Sequence, residues 1–452
     1  MLCLKLKTKK PLNISQFIAL VFLSVIVVGT MLLCLPIASR NGQFCGFNKA
    51  LFTATSSTCV TGLVLADTYT QWSGFGQAVI LCLIEIGGLG FVSIASFVVF
   101  TLRKKVNMNT QMMIAQTIGS DAISDSIRVQ KKVVGACLFI EGIGAAVLTA
   151  RFCFEYPFLQ ALKLGVFHSV SAFCNAGFDI FGYKTPNGSV ALYGTDPVVI
   201  LTLSFLIIVG GLGFLVWDEI VRIKEFKKFS VYTKLVLITT FSLLVFGTIC
   251  LCFSEWNNAK TVGNMNFFQK ILGLFFQSVT TRTAGFAGID QGAMTEGSKA
   301  ISIFLMLIGG SSGSTAGGLK TVTFVVLVLF VISRLKGRNN ITVFYRTIPN
   351  KIILNALTIF GAMVGLSFLG ATIISVTNGF TFTESLFETV SAIATVGLTT
   401  GITPKLNLFS QFLIIIFMYF GRVGILTVSL GFIHNANTQN KIKYAETNLL
   451  IG

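Results

Sequence analysis

Charge, and acidic charge above all, is what this chain has least of. Only 11% of its 452 residues are charged, 17 acids stand against 34 Lys and Arg, and histidine occurs twice, as His168 and His434. Neither histidine has a Cys or acidic neighbour at metal-ligand or catalytic spacing. No Gly-Lys-Ser/Thr loop is present to cradle a phosphate, so there is no sign of an ATPase. No nucleophile, base and orienting group recur together, and the chain does not read as an enzyme. The ten cysteines are scattered, mostly within apolar runs and without metal-ligand spacing, and read as small buried hydrophobes.

What is there instead is apolar. Hydrophobic residues make up 53% of the chain and the mean hydropathy is +0.81, which excludes an ordinary soluble globule. The net charge of +17 does not indicate nucleic acid, because Lys and Arg cluster in short segments between long apolar runs. That distribution is the mark of membrane topology. Apolar stretches at about residues 16–36, 75–102, 133–154, 196–221, 231–253, 300–332, 352–376 and 408–433 read as eight spanning helices. Basic residues crowd the N-terminus, 103–132, 222–234, 334–351 and Lys441 with Lys443, so both termini are expected in the cytoplasm.

Between the members of each helix pair lies a short segment, and the four segments are versions of one another. They run from Phe52 to Leu63, Phe167 to Phe178, Phe276 to Phe286 and Phe387 to Leu398. Each opens on Phe, passes through a run rich in Ser and Thr, and ends on a glycine followed by an apolar residue. Those glycines, Gly62, Gly177, Gly285 and Gly397, recur about every 110 residues, as tandem copies of one unit do. At about a dozen residues each segment is too short to cross a bilayer and reads as entering and returning. Irregular backbone at that depth is tolerated where it lines water or is buried in protein. Four such loops around one axis present carbonyl oxygens in place of the water around a cation.

The expected units are residues 12–105, 106–228, 229–338 and 339–434, with a cytoplasmic tail at 435–452. Each crosses twice, so the copies are parallel around an axis along the membrane normal, unlike the inverted repeats of many secondary transporters. The second helices share a further signature in Gly87-Gly88-Leu89-Gly90, Gly210-Gly211-Leu212-Gly213, Gly309-Gly310-Ser311-Ser312-Gly313 and Gly421-Arg422-Val423-Gly424. Small residues of this kind are the usual glue between membrane helices, and the Gly-Gly-Leu-Gly runs are read in that role. From Gly309 to Gly318 the third copy holds only Gly, Ser, Thr and Ala. Such a run has poor helix propensity and reads either as a close helix contact or as an irregular loop beneath the pore. Arg422 deep in the last helix reads either as one half of an ion pair with Glu85 or Glu141 or as a positive barrier beside the pore. Lys320 either cooperates with it or ends the polar loop. Glu388, inside the fourth short segment, reads equally as a cation-attracting group and as a structural acceptor.

Thr61-Gly62-Leu63, Asn175-Ala176-Gly177-Phe178, Thr283-Ala284-Gly285-Phe286 and Val396-Gly397-Leu398, with the run from Gly309 to Lys320 and Gly421-Arg422, carry a resemblance over almost the whole chain. It resembles the membrane subunit of Ktr-type potassium transporters, within the Trk, Ktr and plant HKT superfamily. The resemblance implies an all-α membrane protein of four helix, re-entrant loop, helix units. It implies a potassium selectivity filter at Val60, Thr61, Gly62, Asn175, Ala176, Gly177, Thr283, Ala284, Gly285, Thr395, Val396 and Gly397. It implies a gate at Gly310, Ser311, Ser312, Gly313, Ser314, Thr315, Ala316, Gly317 and Gly318, with Lys320 and Arg422. In plant relatives Ser at the first filter glycine goes with sodium selectivity, and this chain keeps Gly62. Also implied are potassium uptake across the plasma membrane, sodium as an activator, no covalent cofactor, a homodimer, and a separate cytosolic ring of nucleotide-binding subunits. Anionic lipid is the ordinary partner of the basic loops. A sodium-selective or cation-coupled secondary transporter is the competing class.

Overall fold

The computed structural model describes residues 14–90, 123–185, 188–338 and 340–424. The basic N-terminus, residues 91–122 and the tail at 435–452 lie outside them. Four times over, a long apolar helix is followed by a short helix, a tight turn and a second helix. The first copy has α1 (Ile14–Cys34), α2 (Phe47–Thr58) and α3 (Gly74–Leu89). The second has α4 (Ile123–Phe152), α5 (Phe158–Phe173), α6 (Pro197–Leu212) and α7 (Phe214–Ile223). The third has α8 (Val231–Glu255), α9 (Phe267–Thr280), α10 (Glu296–Leu307) and α11 (Thr321–Leu335). The fourth has α12 (Asn350–Asn378), α13 (Phe382–Ile393) and α14 (Leu408–Val423).

The short helices start on side-chain caps or turns and run inward. Asn266 with Gln269, and Thr381 with Glu384, form reciprocal capping boxes that satisfy the free N–H groups at the starts of α9 and α13. The Phe that opens each repeated segment, Phe52, Phe167, Phe276 and Phe387, is buried and anchors its helix against the core. Each short helix packs on the long helix before it. The long helices turn large apolar side chains outward, among them Val28 and Met31 on α1, Phe139 on α4, Phe241 and Phe246 on α8, and Phe368 and Leu369 on α12. A surface so apolar is a lipid-facing surface.

Two expectations are corrected. Within the described residues the second helices break at a glycine; the remainders of the runs at 75–102 and 408–433 lie outside the described residues. α3, α6 and α14 stop where Gly90, Gly213 and Gly424 adopt φ of 81°, 89° and 92°. Only glycine takes such a φ without strain, so the last glycine of each motif ends its helix as well as allowing close packing. At Gly213 the chain turns 95° into α7, so the continuous helix expected over 196–221 is two helices. Among the described residues four helices are long and apolar enough to cross a membrane, or five if the bent pair is one span. The chain is also not purely helical. Thr342–Val343 and Arg346–Thr347 pair as a two-residue antiparallel hairpin, with Phe344 and Tyr345 at φ of 47° and 61° in its turn.

Candidate functional site

Each short helix ends in the same backbone device. Val60, Asn175, Thr283 and Thr395 have φ of 56°, 59°, 66° and 52°, and two residues later Gly62, Gly177, Gly285 and Gly397 have φ of 95°, 68°, 80° and 97°. Left-handed backbone is uncommon for any residue but glycine and a marked outlier for the β-branched Val60, Thr283 and Thr395. Reversing the sign of φ at every second residue turns successive carbonyls to the same side, where a strand would alternate them.

The four turns meet one another in cyclic order. A Cβ placed on Gly62 would lie 2.5 Å from the Ala176 carbonyl oxygen, and one on Gly177 would lie 2.7 Å from that of Ala284. The same construction sets Gly285 against the Val396 carbonyl and Gly397 against that of Thr61, which closes the ring. Hydroxyls one helical turn back buttress the turns. Ser56 Oγ accepts from Gly62 N at 3.1 Å and Ser391 Oγ from Gly397 N at 3.0 Å, while Ser171 and Thr280 donate to the carbonyls of Phe178 and Phe286 at 2.7 and 2.8 Å.

On one side of the ring a cavity of about 450 Å³ is lined by all four glycines and by Asp67, Asp179 and Asp290. Burial and the neighbouring Asp67 push the Asp179 carboxyl up to about 7. Behind the fourth turn Glu388 is wholly buried and accepts from the Thr399 hydroxyl, from Thr400 N at 3.1 Å and from the Thr403 hydroxyl at 2.6 Å. Its geometry is that of the structural acceptor. His168, one residue after its Phe as Glu388 is, bonds Leu164 O at 2.7 Å and stacks on Phe181.

On the other side lies the segment between α10 and α11. Gly309 N donates to Leu319 O at 2.9 Å and Leu319 N to Leu307 O at 3.2 Å, so the segment leaves and returns at one point. Its middle is held by the broken helix of the second copy. Ser311 N bonds Gly211 O at 3.0 Å, Thr315 N bonds Gly210 O at 3.3 Å, and Phe214 N bonds Gly313 O at 3.0 Å. Tyr232 at the start of α8 donates to Ser312 O at 2.9 Å. Gly317 packs on the Thr395 side chain and Gly309 against the methyl of Thr283, directly behind the turns.

Among the described residues three cations reach this segment, and each donates to one of its carbonyls. Arg422 bonds Thr315 O, and also Gly87 O and, at 3.1 Å, Gly88 O. Lys320 bonds Ala316 O at 2.7 Å. Arg282, which the sequence reading passed over, bonds Gly309 O at 3.3 Å. Glu85 and Glu141 are not the partners of Arg422. They meet Cys174 instead, whose sulfur lies 3.5 and 3.8 Å from one oxygen of each. These three ligand atoms lie within 4.8 Å of one another, a mixed oxygen and sulfur set that cysteine spacing along the chain did not show.

Four carbonyl-bearing turns in a ring, on a chain with a lipid-facing exterior, are a known arrangement. The family described as TrkH, cation transport protein, matches residues 7–443. The chain belongs to the TrkH family. This TrkH-family chain is 38% identical over 457 residues to the potassium/sodium uptake protein NtpJ of Enterococcus hirae, covering 100% of each. It is 37% identical to the Ktr system potassium uptake protein B of Bacillus subtilis, over 97% of this chain and 96% of that one. The crystal structure of the potassium transporter TrkH from Vibrio parahaemolyticus shares its fold, with a TM-score of 0.70 over 94% of this chain and 86% of that one at 16% identity. It is an integral membrane protein of a cation-transporting family.

Proposed function

We propose that the chain is the pore subunit of a Ktr-type potassium uptake system. Ions pass through a filter made of the carbonyls of residues 60–62, 175–177, 283–285 and 395–397. The observation that carries this reading is the ring in which each turn's glycine abuts the carbonyl of the next. Main-chain oxygens replace the hydration shell of a dehydrated cation, and the C-terminal ends of α2, α5, α9 and α13 add partial negative charge. Potassium is favoured over sodium because both uptake relatives carry it in their names and the Bacillus subtilis relative carries it alone. The segment from Gly309 to Leu319 is the gate, held shut beneath the filter by Lys320 and Arg422.

The remaining parts of the proposal rest on the sequence pattern and on the relatives' names. The four units are 12–105, 106–228, 229–338 and 339–434, with eight crossings in all, both termini cytoplasmic, and no covalent cofactor. A homodimer sits on a cytosolic ring of nucleotide-binding subunits; the word system in the relatives' names supports a separate component and no more. Sodium is the activator in this proposal; the name of the Enterococcus relative pairs it with potassium as an ion taken up. A sodium-selective or coupled transporter remains the second reading on that same name.

Flux into liposomes holding the purified chain tests the proposal, with potassium, sodium and choline as competitors. Potassium-selective uptake is expected, raised when residues 312–314 are deleted. Equal passage of sodium and potassium in the deletion variant sinks the filter assignment, and unchanged flux on deletion sinks the gate.

A further inference from the structure

The third turn differs from the other three. Its Phe and glycine, Phe276 and Gly285, are one residue closer than Phe52 and Gly62, Phe167 and Gly177, or Phe387 and Gly397. The shortening alters the local bonding. Ala284 N and Gly285 N share Thr280 O at 3.0 and 3.3 Å, whereas in the other turns one N–H, from Thr61, Ala176 or Val396, uses the corresponding carbonyl. Just before the left-handed residue the other copies carry Cys59, Cys174 and Ala394. The third carries Arg282.

Arg282 is 8% exposed, and its Nε has no acceptor. No carboxylate pairs with it among the described residues. A guanidinium so placed is costly, and its position says what it meets. It sits at the C-terminal end of α9, where the open carbonyls of the helix favour positive charge. From there Nη2 reaches across to Gly309 O, the first carbonyl of the loop. Arg422 and Lys320 hold the far side of the loop at Thr315 and Ala316. Of these three cations only Arg282 belongs to a filter turn, and it bonds the near end of the loop.

We propose that Arg282 is a positioning residue that ties the third filter turn to the entrance strand of the gating loop and holds the loop closed. The inference rests on the reading of that loop as the gate. Opening the loop requires the Arg282 to Gly309 contact to break, and an ion-filled third turn and a closed gate share this one side chain.

The test is R282Q in the full chain, reconstituted and assayed for potassium flux and for the potassium to sodium ratio, alone and with residues 312–314 deleted. Loss of one charge-assisted hydrogen bond is expected to raise basal flux on the order of tenfold, with the ratio unchanged. Adding the deletion is expected to raise flux no further, since both changes release the same loop. If R282Q does not reach the membrane, R282L takes its place, because an apolar side chain of similar bulk is commonly tolerated where a buried charge was. Raised flux in the deletion variant alone, with R282Q or R282L at the unmodified level, overturns the role of Arg282. A fully additive increase, or a changed ion ratio, overturns it too, by placing its action in the filter. No increase in any variant, deletion included, overturns the gate reading instead.

Discussion

At the scale of single residues, the site consists of positions that hold an unfavourable backbone in place. Gly177 has a φ of 68° and faces the Ala284 carbonyl, so G177S adds a side chain to a left-handed position with no room for it. Strain of roughly 1–3 kcal/mol at one corner is expected to lower the potassium to sodium flux ratio at least several-fold. An unaltered ratio removes that turn from the filter. Asp179 gives a pH dependence whose sign is fixed. Its carboxyl titrates at about 7, so the cavity gains a negative charge as pH rises through that value. Uptake at potassium well below saturation is expected to be higher at pH 8 than at pH 6, and D179N is expected to flatten the profile. A profile that D179N leaves intact assigns the dependence to another group. The turn glycines were legible in the sequence, because a glycine nine or ten residues after a Phe, with hydroxyls between, is a covalent pattern. The partners of Arg422 were not. A buried charge signals that a partner exists, but not that the open carbonyls at the end of α3, Gly87 and Gly88, supply it in place of a carboxylate.

Among the elements, the second helices hold both the short helices and the loop of the proposed gate. Their motif glycines lie against the ends of the short helices: Gly87 on the Thr58 carbonyl, Gly210 on that of Phe173 and Gly421 on that of Ile393. The final glycine then stops the helix. At Gly213 this stop aims α7 sideways and leaves Gly210, Gly211 and Leu212 with free carbonyls, which the loop from the third copy occupies. G213A is expected to disfavour the break by about 1–2 kcal/mol and to loosen the Phe214 to Gly313 bond. Basal flux should rise several-fold. Flux equal to the unmodified chain would detach α7 from the loop. Hydropathy did not foresee this break, since 196–221 stays apolar straight through it. Nor could it place Glu85, Glu141 and Cys174 together, because they come from α3, α4 and the end of α5 and meet only in the fold.

For the whole molecule, the question is whether ions move down their gradient or are coupled. An open-ended pore carries net charge, so potassium flux into vesicles is expected to stop as an inside-positive potential builds and to resume with a protonophore. The voltage of zero flux should follow the potassium gradient. Uptake that persists against the potassium gradient when only a sodium gradient is supplied would favour the coupled transporter. That one unit of long helix, short helix, turn and helix recurs four times was legible early, because four copies on one chain repeat both the segment and the helix motif.

That all four turns belong to one polypeptide has a consequence for how such a pore changes. In an assembly of identical subunits every substitution arrives four times and is felt at every corner of the ring. Here a codon alters one corner, and the cyclic contacts pass the disturbance first to one neighbour. In the proposed filter, ion preference can therefore be adjusted in quarter steps, and the third corner, one residue shorter and carrying Arg282, already differs from the others by such a step.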